Sequence, residues 1–490
     1  MKFKYLVILS LIFYLPLQLK LPNWPHFPAI NILALFMLGV MATSRNPGFK
    51  RPAFETPLII FLVIWTMSFI YACMFTDGMP RMEIAREFKR LFLLPWVYFI
   101  ISRCIADKRE LYIYLIGVLL CLMLCGQNTY YNGVLAGANF ALHKRSSGPF
   151  GWGWRASDIA GGFLATFTPL LIAYFFFVRK PLLKFISAIG VGLCGLGLMT
   201  TYSRGSMMAL LFACLGMIFV GSRQLAKASK INFLVIFIGL VIGGVMWKAW
   251  VPPSIIARVE GTIVADEDDM EFVDASLTDE TGESVLDLSS QLRMHAWRQG
   301  LSFFTTHPLT GIGFRQVQFQ LGHDPHNGFV LIAAEMGILG IMVFIWLIFA
   351  VTWQAFRLIN TDFNYIGVGA VGMMIGFVVV NMFYANFFRD NVVGTFWIVL
   401  ALLAAANSFY ANGESGEVVG ETDPTQNKMS YAEYRKRYLQ SVLLALTLVV
   451  AGIVSVAMFC RLPERTGVAS VFRATPVSLG GNQGKELIAG

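Results

Sequence analysis

Only six histidines occur among the 490 residues, and two of them stand three apart in His323-Asp324-Pro325-His326-Asn327, just ahead of an apolar run from Gly328. Asp324 reads as a helix cap and Pro325 suits a first turn. That reading predicts His326 in the opening turn, where the positive helix end favours the neutral imidazole. A neutral imidazole at a membrane surface is what a general base requires. The His-x-x-His spacing would also suit zinc, although no third ligand is evident. Glu335 follows nine residues later. On an unbroken helix it lies half a turn out of phase and about 13 Å deeper, which removes it as a partner for His326.

Cationic side chains form the second group. Thr201-Tyr202-Ser203-Arg204-Gly205-Ser206 puts Arg204 where one apolar run meets the next. An arginine at membrane depth costs ~2.5–3.5 kcal/mol and marks a functional position. Ser289–Phe304 reads as an amphipathic helix with Leu292, Ala296, Gly300 and Phe303 on one face, and with Arg293 and Trp297 four apart on a neighbouring stripe. Arg293 and Arg298 are separated by about 140° around such a helix, so they would not grip the same group. Residues 307–313, His-Pro-Leu-Thr-Gly-Ile-Gly, form a turn whose G-x-G follows no strand and is no dinucleotide fingerprint. Arg315 and Arg389 are weaker candidates on the same face.

These groups need a scaffold, and composition says which kind. The chain is 56% hydrophobic and only 14% charged, whereas soluble chains carry roughly 25% charged residues. A cytosolic enzyme, a secreted disulfide scaffold and a disordered chain are excluded. An all-α polytopic membrane protein is predicted, with about twelve or thirteen spans of some 20 residues each. The runs lie near 5–19, 28–44, 57–75, 91–106, 111–126, 158–178, 182–201, 205–221, 231–251, 327–350, 365–386, 391–410 and 441–459. Four regions follow: a transmembrane bundle over 1–251, an outer loop over 252–326, a second bundle over 327–459 and a tail over 460–490. The N-terminal run has no small-residue cleavage site and reads as an uncleaved span. Cys121 and Cys125 stack on one helix face as packing residues, and no C-x-x-C pair occurs.

Lys and Arg orient the bundle. With the N-terminus inside, the inner segments are 1–4, 44–56, 102–110, 179–184, 221–230, 357–364 and 411–440. They hold ten Lys and nine Arg, against five Lys and fourteen Arg elsewhere. The outer cations are therefore mostly arginines, whose planar fork grips phosphate or carboxylate bidentately. An anionic substrate at the outer face is implied. Of the long outer segments, 127–157 brings Trp152 and Trp154 near Lys144, Arg145 and Arg155, platforms that suit sugar rings or a bilayer interface. The other, 252–326, opens at Pro252-Pro253 and holds ten carboxylates within 264–287. It lacks the regular calcium-loop spacing and reads as a solvated acidic insertion.

His326-Asn327, nine residues, then Gly337-Ile338-Leu339-Gly340 resembles the His-(Asn/Ser/Gln)-x9-Gly-x-x-Gly signature of O-antigen ligases. Thr201–Gly205 resembles the Ser-Arg-Gly corner of the wider ligase and polymerase superfamily, and so does Arg293-x3-Trp297 running into 307–313. That superfamily spans WaaL-type ligases, Wzy-type polymerases and PglL-type protein O-oligosaccharyltransferases. The resemblance implies a GT-C-type fold in the bacterial inner membrane with its site facing the periplasm. It implies a glycan donor on undecaprenyl pyrophosphate and an acceptor hydroxyl on lipid A–core, a growing glycan or a protein. It also implies inverting transfer with no cofactor, metal or nucleic acid. His326 would be the base, Arg204 and Arg293 would neutralise the pyrophosphate, and Arg315, Arg389, Arg298, Asn327 and Trp297 would contact substrate. The His-Asn-x9-Gly-x-x-Gly match favours the ligase. A lipid-glycan transporter would instead call for broken helices and ionisable groups near the midplane, and a non-catalytic membrane scaffold is a third reading.

Overall fold

A computed structural model describes residues 2–17, 36–37, 39–40, 46, 48–75, 81–135, 137, 145–151, 154–228 and 288–413. The expected spans at 231–251 and 441–459, most of 28–44, the acidic insertion 264–287, Lys144, Trp152 and the tail after Cys460 lie outside the described residues, as do the side chains of Trp154 and Arg155.

Within them the regular structure is helical. In chain order the helices are α1 Lys2–Leu17, α2 Glu55–Phe75, α3 Arg81–Phe92, α4 Leu94–Cys104, α5 Lys108–Leu135, α6 Trp154–Phe177, α7 Pro181–Thr200, α8 Arg204–Ala228, α9 Leu288–Thr306, α10 Gln316–Leu321, α11 Gly328–Arg357, α12 Asn364–Phe383 and α13 Asp390–Ala411. Eight of these, α2, α5, α6, α7, α8, α11, α12 and α13, are long and apolar enough to cross a membrane. The all-α polytopic architecture follows directly.

α13 is the axis of the bundle. Its spanning stretch is buried throughout and is packed by α1, α4, α5 and α11. Ala401, Ala404, Ala405 and Ala406 keep its surface narrow, the kind of small-residue surface that lets helices approach closely where lipid offers no competing hydrophobic gain. Around it, α12 packs on α6 and α8, α5 on α7, and α11 on α2 and α9. Phe387 sits in an aromatic cluster with Phe61, Trp65, Phe344, Phe377, Phe396 and Trp397.

The connections sort to opposite ends of the bundle, as the alternating reading requires. At one end Lys4 Nζ lies 2.6 Å from Glu110, Arg103 pairs with Glu55 at 3.0 Å, Asn46 donates to the Ile105 carbonyl, Lys50 Nζ donates to the Ala411 carbonyl and Gln224 bonds Asn360. All of these residues belong to segments read as inner or to the ends of spans beside them.

One span reads differently. The run at 91–106 is split at Leu93 into amphipathic α3 and the eleven-residue α4. At 1.5 Å per residue α4 is far too short to cross alone. α3 buries Ile84, Phe88 and Leu91 and exposes Arg86 and Lys89, so part of the stretch expected as outer loop is a helix lying at that end.

Candidate functional site

The 200–205 corner is shaped by backbone before chemistry. Thr201 caps α7, and Tyr202 takes a left-handed φ of 50°. Arg145 fixes the turn, donating from Nε to the Thr201 carbonyl at 2.7 Å and from Nη2 to Asp158 at 2.6 Å. Ser203 Oγ meets Ser206 Oγ at 2.8 Å and the Tyr384 hydroxyl at 3.0 Å. Gly205 lets α8 press on Phe383, where a Cβ would stand 2.9 Å from the Phe383 side chain. Arg204, half-buried, opens α8 from this corner. The Ser-Arg-Gly triplet thus combines a network hydroxyl, a half-buried cation and a close approach.

Arg293 lies on α9, its guanidinium 5.5 Å from the centroid of the Tyr384 ring. Such cation–π contacts are worth about 0.5–2 kcal/mol. One buried tyrosine therefore links Arg293 to the residue preceding Arg204. Burial, then the Asp158 charge, pushes the Tyr384 phenol above its ordinary value, so it remains a hydroxyl at neutral pH. On the same helix Ala296 and Gly300 are buried as expected, Gly300 against Val330 and Pro325. Trp297 is half-buried, and its indole N–H has no hydrogen-bond partner among the described residues. Arg298 is half-buried one residue further on.

The histidine loop corrects the expected cap. α11 starts at Gly328 and its N-cap is Asn327, whose side-chain oxygen accepts from the N–H groups of Phe329 and Val330. Asp324 and Pro325 precede the helix, and so does His326, which has a φ of 50°. Asp324 Oδ1 accepts the His326 backbone N–H at 3.0 Å, closing a tight turn across Pro325. The reason is competition between two good caps: Asn327 is one residue from the helix and takes its amides, which leaves Asp324 to shape the loop. Asn327 is buried. Arg389 Nη2 donates to Asp324 Oδ2 at 2.7 Å. Arg315, also left-handed at φ 64°, donates to Glu87 of α3 at 2.7 Å and to Gln318. Both weaker arginine candidates are thus held by carboxylates at this end.

A second correction concerns α11 itself. It is not continuous: Gly337 has φ 67° and ψ −165°, a break just below Glu335. The turn 307–313 fills the break. Ile338 N–H donates to the Pro308 carbonyl at 2.8 Å, Ile312 N–H to Ala334 at 2.8 Å and Gly313 N–H to Glu335 at 3.2 Å. Ser68 of α2 adds its hydroxyl to the Glu335 carbonyl at 2.8 Å. Backbone packs on backbone here: a Cβ on Gly311 or Gly337 would overlap main-chain atoms of the other segment. His-Pro-Leu-Thr-Gly-Ile-Gly and Gly-x-x-Gly, two motifs far apart in sequence, are one interlock.

The connection 384–390, Tyr-Ala-Asn-Phe-Phe-Arg-Asp, joins all three parts. Tyr384 meets Ser203 and Arg293, Arg389 holds Asp324, and Asp390 pairs with Arg90 of α3 at 2.8 Å. Apart from Arg389, sequence reasoning passed over it. Four polar or charged side chains among these seven residues, between two apolar spans, were the available signal.

Fold and site together define a multi-pass membrane protein with arginines and a histidine gathered at one end of its helical bundle. Residues 189–345, roughly a third of the chain, match the family model described as O-Antigen ligase. Over those residues the chain is similar to the O-antigen ligase family, a likeness that supports a ligase- or polymerase-type glycosyltransferase in the broad sense. The matched stretch runs from within α7 to within α11 and contains every predicted site residue except Arg389. No curated protein matches this chain.

Proposed function

We propose that this protein is an inverting glycosyltransferase of the inner membrane that moves a glycan from undecaprenyl pyrophosphate to a hydroxyl of lipid A–core at the periplasmic face. The observation that carries this reading is the joining of the Arg204 corner, the Arg293 helix and the His326 loop by the single connection 384–390. His326 accepts the proton of the acceptor hydroxyl as its oxygen forms a bond to the anomeric carbon. The bond from that carbon to the phosphate oxygen breaks, and its electron pair leaves on the pyrophosphate. Arg204 and Arg293 stabilise that developing charge, the electrostatic role that usually contributes most. Arg298 and Trp297 extend the donor side. Asn327 supports His326 through the cap. A polymerase or a protein O-oligosaccharyltransferase would share this chemistry and differ in acceptor.

One observation favours a transporter: a broken helix beside a buried ionisable residue, Glu335. Transporters leave such breaks lining a cavity. Here the freed groups of α11 bond to the 307–313 backbone, which supports a static scaffold instead. Purified protein incubated with undecaprenyl-pyrophosphate glycan and lipid A–core, glycan or protein acceptors separates these readings. Glycosylated lipid A–core is expected; lipid movement without product points to the transporter.

A further inference from the structure

Asp324 is 5% exposed and divides its carboxylate. One oxygen takes Arg389 at 2.7 Å. The other accepts the His326 backbone N–H at 3.0 Å and lies 3.7 Å from His326 Nδ1. That last distance is ion-pair range, longer than the hydrogen-bond range of about 2.7–3.2 Å. Contacts of this kind often tighten in the substrate complex. The backbone already commits the geometry: Pro325 restricts the loop between the two residues, and His326 holds a φ of 50°, a left-handed conformation that persists only where its surroundings enforce it. A carboxylate required only for the turn would not need an arginine on its second oxygen.

We propose that Asp324 is the positioning residue of His326. The carboxylate keeps the imidazole proton on Nδ1, presents Nε2 to the acceptor hydroxyl, and stabilises the imidazolium once that proton has moved to Nε2. Arg389 anchors the carboxylate so that it does not swing away when the pyrophosphate is bound. This rests on the base role of His326 proposed above. Other charged groups near the pair are His323, whose Nδ1 lies 3.1 Å from the Asp324 carbonyl oxygen, and, further along α11, the buried Glu335. From the packed helix α9 come Arg293 and Arg298.

Asp324→Asn retains an oxygen for the turn and removes the charge. In reconstituted full-length protein its kcat is expected to fall about 10²-fold or more, with donor KM within about threefold. The rate needs neutral His326, so the wild-type rate rises with pH through the imidazole range, about 6–7. Without the carboxylate the imidazolium loses support, and that limb moves lower by roughly one pH unit. Wild-type kcat, or a lowered kcat with an unmoved limb, overturns the proposal and leaves Asp324 as a turn former. Nitrogen NMR of histidine-labelled wild type, with His326 assigned by its loss in His326→Ala, gives the answer without an Asp324 variant: protonated Nδ1 is expected, and a neutral ring protonated on Nε2 contradicts it. Full activity in His326→Ala would sink the base reading itself, a separate result.

Discussion

Among the described residues, the non-glycine positions with positive φ are Tyr202, Arg315 and His326. All three fall at one end of the bundle, inside the family-matched stretch. Strain of this kind persists where surrounding structure over-determines it, and functional sites are where it gathers. Here the enforcing contacts are identifiable: Arg145 on the Thr201 carbonyl, and Asp324 on the His326 amide. The candidates Arg204, Arg293 and His326 were legible in sequence because a costly residue type stood at a span end or in a short motif. Tyr384 and the role of Asp324 were not. Their contacts cross 181 residues to Ser203 and 65 to Arg389, and neither type is unusual where it stands. For Arg204 the expected behaviour is specific. Arg204→Lys keeps the charge but loses the planar fork that matches a pyrophosphate, so transfer activity should drop at least tenfold at unchanged expression. Wild-type turnover in that variant would return Arg204 to interfacial anchoring.

The length of its apolar run identified α11 as a span but said nothing of its break. Gly337 and Gly340 stood out as a Gly-x-x-Gly motif, but glycine is tolerated inside helices at about 1 kcal/mol, so the motif did not by itself mark a break. What breaks the helix is a partner, the 307–313 turn, whose backbone supplies the hydrogen bonds that residues around Gly337 give up. The interlock ties α9, which carries Arg293, to α11, which follows His326, so it bears on the spacing between those two residues. Gly337→Ala places a side chain both at left-handed φ and against the Leu309 carbonyl. We expect a loss of about 1–3 kcal/mol in stability and at least tenfold in transfer, while Leu339→Ala, at a position 52% exposed, should change neither. Thermal unfolding and turnover of the two variants side by side provide the check. An alanine at 337 with wild-type values would mean that the interlock is dispensable.

Across the whole molecule, composition pointed to the membrane class, because 14% charged residues against 56% hydrophobic is far from the roughly 25% charged of soluble chains. Span positions for α2, α5 to α8 and α11 to α13 were also readable, since long apolar runs leave few alternatives. The split of α3 from α4 was not, as the apolar run passes through the corner and only the burial pattern separates the two helices. The two sets of end contacts, Lys4–Glu110 and Arg103–Glu55 at one end and Arg315–Glu87 and Arg389–Asp324 at the other, make the alternation of loops a physical fact of the packing. The proposed sidedness rests on the Lys and Arg of the short loops. With native cysteines replaced, His307→Cys should react with an impermeant thiol reagent in whole cells and Asp362→Cys should not. The reverse pattern would place the arginines and His326 in the cytoplasm.

The most direct measurement is single-turnover transfer by His326→Ala against wild type, with donor binding recorded in the same reconstituted samples. As general base, His326 should account for roughly 10²–10⁴-fold in rate. Undecaprenyl-pyrophosphate glycan should still bind the variant, because the proposal gives donor binding to the arginines and not to His326. An alanine variant that transfers at the wild-type rate, or one that fails only to bind donor, would contradict the assignment of His326 as the base.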